Sequence, residues 1–286
     1  MVDERRTSDI RVGDPVYDGA AVVFGDADLD DLEAAVLALE NPSLIARITD
    51  VIGVPLEQVL DVLPARANVR LQKSTRIALE KLLNVSVGTL GRHADEPSSD
   101  LKHKLAGGLS GAVGGFFGMA ALAAELPVTT SLILRSIADI ARSEGEDLDS
   151  LDTKLACLEV FALGGKAATD DAAETGYFAV RAAMAKAMTD AAKHIAERGL
   201  TQEGAPVIAR FIASIASRFG TVVSEKAAAQ AVPVLGAVGG ASVNVLFMKH
   251  FQDVARGHFV VRRLERRYGQ DAVRREYARI ARENVR

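Results

Sequence analysis

Three short strings in the sequence come close to catalytic motifs, and each fails where its chemistry is most demanding. A nucleophile elbow needs glycine two residues after its serine, but Gly108-Leu109-Ser110-Gly111-Ala112 has Ala112 there. Gly164-Gly165-Lys166 has the ending of a phosphate-binding loop. Val160 stands where the loop's first glycine belongs, and Ala167 replaces the Ser or Thr that would hold magnesium. The string reads better as a helix C-cap. His250 and His258 are eight residues apart, about 12 Å along a helix axis. Zinc–nitrogen bonds near ~2 Å do not span that gap, so they read as surface or internally satisfied histidines. Asp26, Asp28, Asp30 and Asp31 open like a calcium loop. Asp31 occupies the glycine position, however, and Leu37 the place of the closing glutamate. These carboxylates read as favourable charges at a helix start. Asp170, Asp171 and Glu174 make a single DDxxE string without an aromatic pocket, which is no basis for a magnesium–diphosphate site. The sequence therefore assigns no catalytic residue, no metal ligand and no cofactor.

Polar groups set among apolar neighbours carry more information. Glu125 precedes Pro127 between two apolar runs. Arg135 and Asp139 are four apart and can pair on one helix face. Lys226, Gln230 and Asn244 flank or interrupt a second long apolar run. If that run meets lipid, these groups must pair or face inward. In a soluble core they would serve as hydrogen-bond anchors. All six are candidate buried polar residues. At the C-terminus, Arg274, Arg275, Arg279 and Arg282 fall mostly off an apolar stripe of Val273, Tyr277 and Ile280. They are candidates for anionic lipid headgroups or an acidic partner surface, since guanidinium suits multidentate contact with phosphate and carboxylate. A solvated helix face is the competing reading.

The elements that must position these residues follow from composition and periodicity. The 286 residues are 49% apolar and 25% charged, ordinary for a globular protein and outside the disordered and fibrous classes. The single Cys157 excludes an internal disulfide or a Cys-rich metal site and suits a reducing compartment. Trp is absent and aromatics are 5%, leaving few platforms for base stacking. Nucleic acid is not an expected partner, because no reader motif accompanies the net charge of −4. That charge is graded. Residues 1–100 hold 10 basic and 18 acidic groups, and residues 249–286 hold 11 and 5. Met1 to Val12 is mixed in charge with no apolar core, so no secretory signal is expected and a cytoplasmic location is.

Residues 1–25 read as a flexible arm, 26–100 as an N-terminal helical region ending in the polar stretch 92–100, and 101–286 as a helical core with Arg-rich C-terminal helices. Helical stripes include Leu32, Ala35, Val36 and Leu39, and also Leu71, Thr75, Ala78, Leu79 and Leu82. Asn41-Pro42 reads as a helix start, and Val54-Pro55 opens a short helix. Pro127 is expected near a helix start. Gly145, Gly199, Gly220 and Gly269 are expected stops. Leu105–Ala124 and Ala227–Met248 carry no charge over twenty and twenty-two residues, long enough to cross a bilayer. They share Gly111-Ala-Val-Gly-Gly115 and Gly236-Ala-Val-Gly-Gly240. Small residues four apart, as at Gly107, Gly111 and Gly115, let helix backbones approach closely. These glycines, with Gly236 and Gly240, are candidate helix-packing or membrane-dipping positions. No alternating β pattern occurs. The expected fold is all-α, a multi-helix bundle with two central Gly-rich apolar helices.

The order of these pieces resembles the EcsC family. The likeness runs from about Leu39 to Ile280. It comprises Glu40-Asn-Pro-Ser43, Gly53-Val-Pro55 and Leu63-Pro64, then the Gly107–Gly118 run, Leu126-Pro-Val-Thr-Thr130 and Arg135-Ser-Ile-Ala-Asp139. Lys226, Gln230, Pro233, Gly236 and Asn244 follow, then Phe259, Leu264-Glu265, Tyr268-Gly269 and Tyr277. The resemblance implies a bacterial helical protein at the inner face of the cell membrane, accessory to an ABC transporter or to membrane organisation. It carries no catalytic residues to transfer. The expected function is non-enzymatic and membrane-associated. The alternative is a lipid-binding carrier or enzyme with a site between the glycine-rich helices.

Overall fold

A computed structural model describes residues 22–40, 44–52, 65–89, 119–165, 176–200, 206–231 and 236–284. Among them are nine helices and no strand: α1 (Asp26–Leu39), α2 (Leu44–Ile52), α3 (Ala65–Thr89), α4 (Met119–Ser143), α5 (Leu151–Leu163), α6 (Gly176–Arg198), α7 (Pro206–Ala231), α8 (Gly236–Tyr268) and α9 (Gln270–Asn284). The fold is all-α, as the periodicity requires. Most of the arm, the Asn41-Pro42 start, the helix from Val54, the stretch 92–100, the DDxxE string and Gly107, Gly111 and Gly115 lie outside the described residues.

The core forms where the stripes meet. α3, α4, α5 and α7 pack on one another, and α8 crosses α4, α5 and α7. Phe161, Phe219, Phe247 and Phe251 meet there, with ring centroids 5.0–6.2 Å apart. Five-angstrom tilted and edge contacts of this kind add to simple area burial. Nine consecutive or near-consecutive residues of α5 are buried, from Thr153 to Ala162, so this helix is enclosed on all sides. At the end of α5, a Cβ on Gly165 would lie 2.3 Å from the Arg218 carbonyl oxygen of α7. The two backbones touch because no side chain intervenes.

Gly145, Gly199 and Gly269 end their helices with φ of 79°, 68° and 85°, a region in which glycine has no Cβ penalty. Gly220 is different: α7 runs straight through it to Ala231. The apolar residues on both sides, Phe219, Val222 and Val223, are buried in one continuous face, and packing outweighs the ~1 kcal/mol glycine penalty. Pro127 also sits inside a helix rather than near its start, because α4 begins at Met119. Hydroxyls support the helix just after the proline. Thr130 Oγ1 donates to the Leu126 carbonyl at 2.6 Å and Ser131 Oγ to the Pro127 carbonyl at 2.7 Å. The run Ala227–Met248 is divided between the end of α7 and the first part of α8, and Gly236 and Gly240 fall in the opening of α8. Among the described residues, one helical segment is long and apolar enough to cross a membrane by length and composition, Pro206–Gln230. Its Phe211, Ile215 and Phe219 are core residues.

The charge gradient closes on itself. α1 packs along α8. Arg267 pairs with Asp28 at 2.8 Å, Arg263 pairs with Asp31, and Tyr268 donates to Asp28 at 2.6 Å. Arg262 and Arg266 both hold Glu146 in the α4–α5 turn. Much of the basic end thus neutralises acidic groups of its own chain.

Candidate functional site

Three of the six polar candidates meet. Glu125 lies in the second turn of α4, Lys226 five residues before the end of α7, and Asn244 eight residues into α8. α7 and α8 pack on each other and both pack on α4, which brings these three positions together. Lys226 Nζ donates to Glu125 Oε1 at 3.2 Å, and Asn244 Nδ2 donates to the same oxygen at 2.8 Å. Thr129 Oγ1, one turn along α4, donates to it at 3.2 Å. Lys226 and Asn244 are fully buried and Glu125 nearly so. Burial pushes the Lys226 ammonium below its ordinary range, and the Glu125 carboxylate partly opposes this. The ammonium also lies 4.7 Å from the centre of the Phe247 ring, within cation–π range. Glu125 Oε2 has no hydrogen-bond partner among the described residues, and neither has Nε2 of the half-buried Gln230.

A buried pair of this kind contributes little net stability, but losing one partner is costly. Its structural effect is positional. Glu125 ends the charge-free run 105–124 and Lys226 immediately precedes the run 227–248. The ion pair joins the C-terminal edge of the first run to the N-terminal edge of the second.

The other two polar candidates face outward. Arg135, expected to be buried, is exposed. α4 turns Ile133, Leu134, Ile137 and Ala141 inward, so Arg135, Asp139 and Arg142 fall on the opposite i, i+4, i+7 stripe. Asp139 is half-buried and lies 3.7 Å from Arg142. On α9, Val273, Tyr277 and Ile280 pack inward, and Arg274, Arg275, Arg279 and Arg282 are exposed. Arg279 is held by Glu276 and Glu283, both at 2.7 Å. Arg282 donates to the Ala278 carbonyl at 3.2 Å. Arg274 lies over the Phe178 ring at 5.6 Å.

A second buried polar group was not anticipated. Glu159 is 3% exposed on α5 and His258 is fully buried on α8. His258 Nδ1 is 3.0 Å from the Tyr177 hydroxyl, and its Nε2 is 3.8 Å from Glu159 Oε2. Burial holds His258 well below the usual histidine range, aided by Arg181 and Arg262. Burial raises Glu159 to about 7. Tyr177 stacks on Tyr277 at 5.5 Å, and Tyr277 donates to Glu40 at 2.8 Å. His250, also buried, contacts the Gly164 carbonyl at 2.7 Å. Both histidines are therefore internal. The sequence signal for Glu159 was its isolation: it is the one charge in the string Leu155-Ala-Cys-Leu-Glu-Val-Phe-Ala-Leu163. Among the described residues no group of three or more His, Cys, Asp or Glu side chains is placed to hold a metal ion.

No curated protein and no solved structure matches the chain. The model of the EcsC protein family matches residues 28–264, from the first turn of α1 to the last turns of α8, and so includes Glu125, Lys226 and Asn244. This chain is a member of the EcsC protein family.

Proposed function

We propose that the protein is a non-enzymatic accessory of the cytoplasmic membrane. In this reading its two glycine-rich, charge-free runs make the membrane contact and its arginine-bearing end meets a membrane-protein partner. The supporting observation is the Glu125–Lys226–Asn244 junction. It ties the C-terminal edge of the first run to the N-terminal edge of the second, with all three side chains buried. A pair of apolar segments held at a common base is suited to entering the bilayer as a hairpin, with small residues at the interface between its arms. At the base, Glu125 Oε1 is bonded by both Lys226 and Asn244, so the buried charges compensate each other away from lipid.

α8 spans 33 residues, about 50 Å. The arginines of α9 therefore lie far from the glycine-rich opening of α8. This separation favours a two-ended role, with lipid at one end and an acidic protein surface at the other. An ABC transporter subunit is the partner that the family resemblance suggests.

Flotation of the full-length protein with neutral and anionic vesicles, at low and high salt, tests the reading. We expect salt-resistant flotation that is lost when Val113→Asp and Val238→Asp place a carboxylate in each run. Replacing Arg274, Arg275, Arg279 and Arg282 by Gln should leave this flotation intact. Absence of flotation, or flotation unaffected by the two aspartates, refutes membrane contact through the runs. Flotation that vanishes in salt and in the four-Gln variant would instead place the contact on α9.

A further inference from the structure

About 30 Å along α8 from Asn244, judged from the helical rise, a cleft of about 560 Å³ opens among α5, α6, α8 and α9. Its size falls within the range of small-molecule sites. One wall is apolar, formed by Leu155 of α5 with Phe178, Ala182, Ala185 and Met188 of α6. The cleft continues into a hollow of about 640 Å³, with Asp152, Arg181, Arg262, Glu265 and Gln270 common to both.

Two helix N-termini converge on this shared region. Gln270 and Asp271 open α9, and Ser150 and Asp152 open α5. Ser150 makes no side-chain cap bond to its helix. First-turn amides carry partial positive charge and favour anions. Independently, Glu159 lines the cleft, is 3% exposed and makes no hydrogen bond among the described residues. The His258 Nε2 beside it stands 3.8 Å away, beyond hydrogen-bond reach, so the Glu159 carboxyl keeps hydrogen-bonding capacity toward the cleft.

The neighbouring charges fall into two groups. Arg181 is held by both oxygens of Glu265, at 2.7 and 3.0 Å. Arg262 is held by Glu146 and Asp152, at 2.9 and 2.7 Å. Arg274 differs: it lines the cleft with no ion pair to a described carboxylate, stacked on Phe178. Asp271, exposed at the start of α9, stands three residues before it and also lines the cleft. Its place in the first turn complements that helix's dipole. Buried Glu159 is largely protonated below about 7 and can then donate a hydrogen bond.

We infer that this cleft binds a single-chain amphiphile with an anionic head. Its head would sit among Arg274, the two helix N-termini and the Glu159 carboxyl, and its alkyl chain along the Ala182–Ala185–Met188 wall. The inference is independent of the membrane reading, since none of these residues belongs to the charge-free runs.

Calorimetric titration of the full chain at pH 6 with octyl phosphate, octanoate and octylammonium, all below micellar concentration, tests it. We expect saturable binding of at least one anion, at least tenfold tighter than octylammonium. The preferred anion distinguishes a phosphate-headed lipid from a free fatty acid. Ala185→Trp fills the apolar wall from an exposed position and should weaken binding at least tenfold, as should Arg274→Gln, with unchanged circular dichroism. No saturable binding of either anion overturns the inference. So does binding that both variants leave intact, or preference for the ammonium.

Discussion

Glu159→Gln isolates the energetic consequence of enclosing a carboxyl in α5. Burial is the largest influence on Glu159. Arg181 of α6 and Arg262 of α8 act to lower its pKa, Asp152 and Glu265 to raise it, and the outcome is about 7 against an ordinary 4.5. That difference corresponds to about 3 kcal/mol between the two protonation states. Because the folded-state value is the higher one, the folded protein binds the proton more tightly than the unfolded chain. The stabilising contribution is fully present below 4.5 and is lost as pH rises through about 7. His250 acts with the opposite sign. Its value is pushed down to about 4, so its contribution is present above 6.5 and lost as pH falls. The two oppose each other between 4.5 and 6.5, and a single stability curve would mix them. Subtracting the variant from the wild type removes both histidines. Urea unfolding at pH 4.5, 6, 7.5 and 9 should show wild type losing about 3 kcal/mol relative to Glu159→Gln across that range. A difference constant to within about 0.5 kcal/mol would refute the claim that the fold holds this carboxyl in its neutral form.

Three further outcomes are expected. Lys226→Met should cost about 3–5 kcal/mol by leaving Glu125 buried without its cation, and adding Glu125→Gln should recover most of that loss. Additive losses in denaturant unfolding would show the pair is not coupled. Gly165→Ala drives a methyl against the Arg218 backbone and should destabilise by about 1–3 kcal/mol. Gly220→Ala, whose nearest neighbour would be Gln72 at 4.0 Å, should stabilise by about 1 kcal/mol, and a reversed order in thermal unfolding would contradict the packing. Finally, Cys157 is fully buried and its thiol is pushed up by burial. Alkylation should therefore track global unfolding rather than pH, and rapid labelling of the native protein at pH 8 would argue against an enclosed α5.

The helical class and several boundaries were legible because they depend on local physics. Apolar spacing of three and four residues defines the faces of α1, α3 and α9. The glycines at 145, 199 and 269 end helices because each adopts positive φ. Gly220 and Pro127 misled for a shared reason. Local propensity opposes a helix at both, by ~1 kcal/mol for glycine and ~3 for proline, but buried residues outweigh it: Phe219, Val222 and Val223 around Gly220, and Leu126, Ile133, Leu134 and Ile137 beside and after Pro127. Arg135 misled because an i, i+4 spacing with Asp139 specifies a common face without specifying which way that face points. Glu159, His258 and Tyr177 come from three different helices, and no linear spacing relates them.

By itself, the sequence determined that the chain is helical, that it contains two charge-free glycine-rich runs, that polar groups stand at their edges, and that acidic and basic residues are concentrated at opposite ends. These are properties of composition and period, set by neighbours a few residues away. Where those charges go depends on the packing of helices that are distant in sequence. The Arg-rich end turns back onto Asp28, Asp31 and Glu146, and Glu125 reaches Lys226 and Asn244 across more than a hundred residues. Removing a charge from water is so costly that it must find a partner wherever the fold brings one near, and the identity of that partner is a matter of packing in three dimensions.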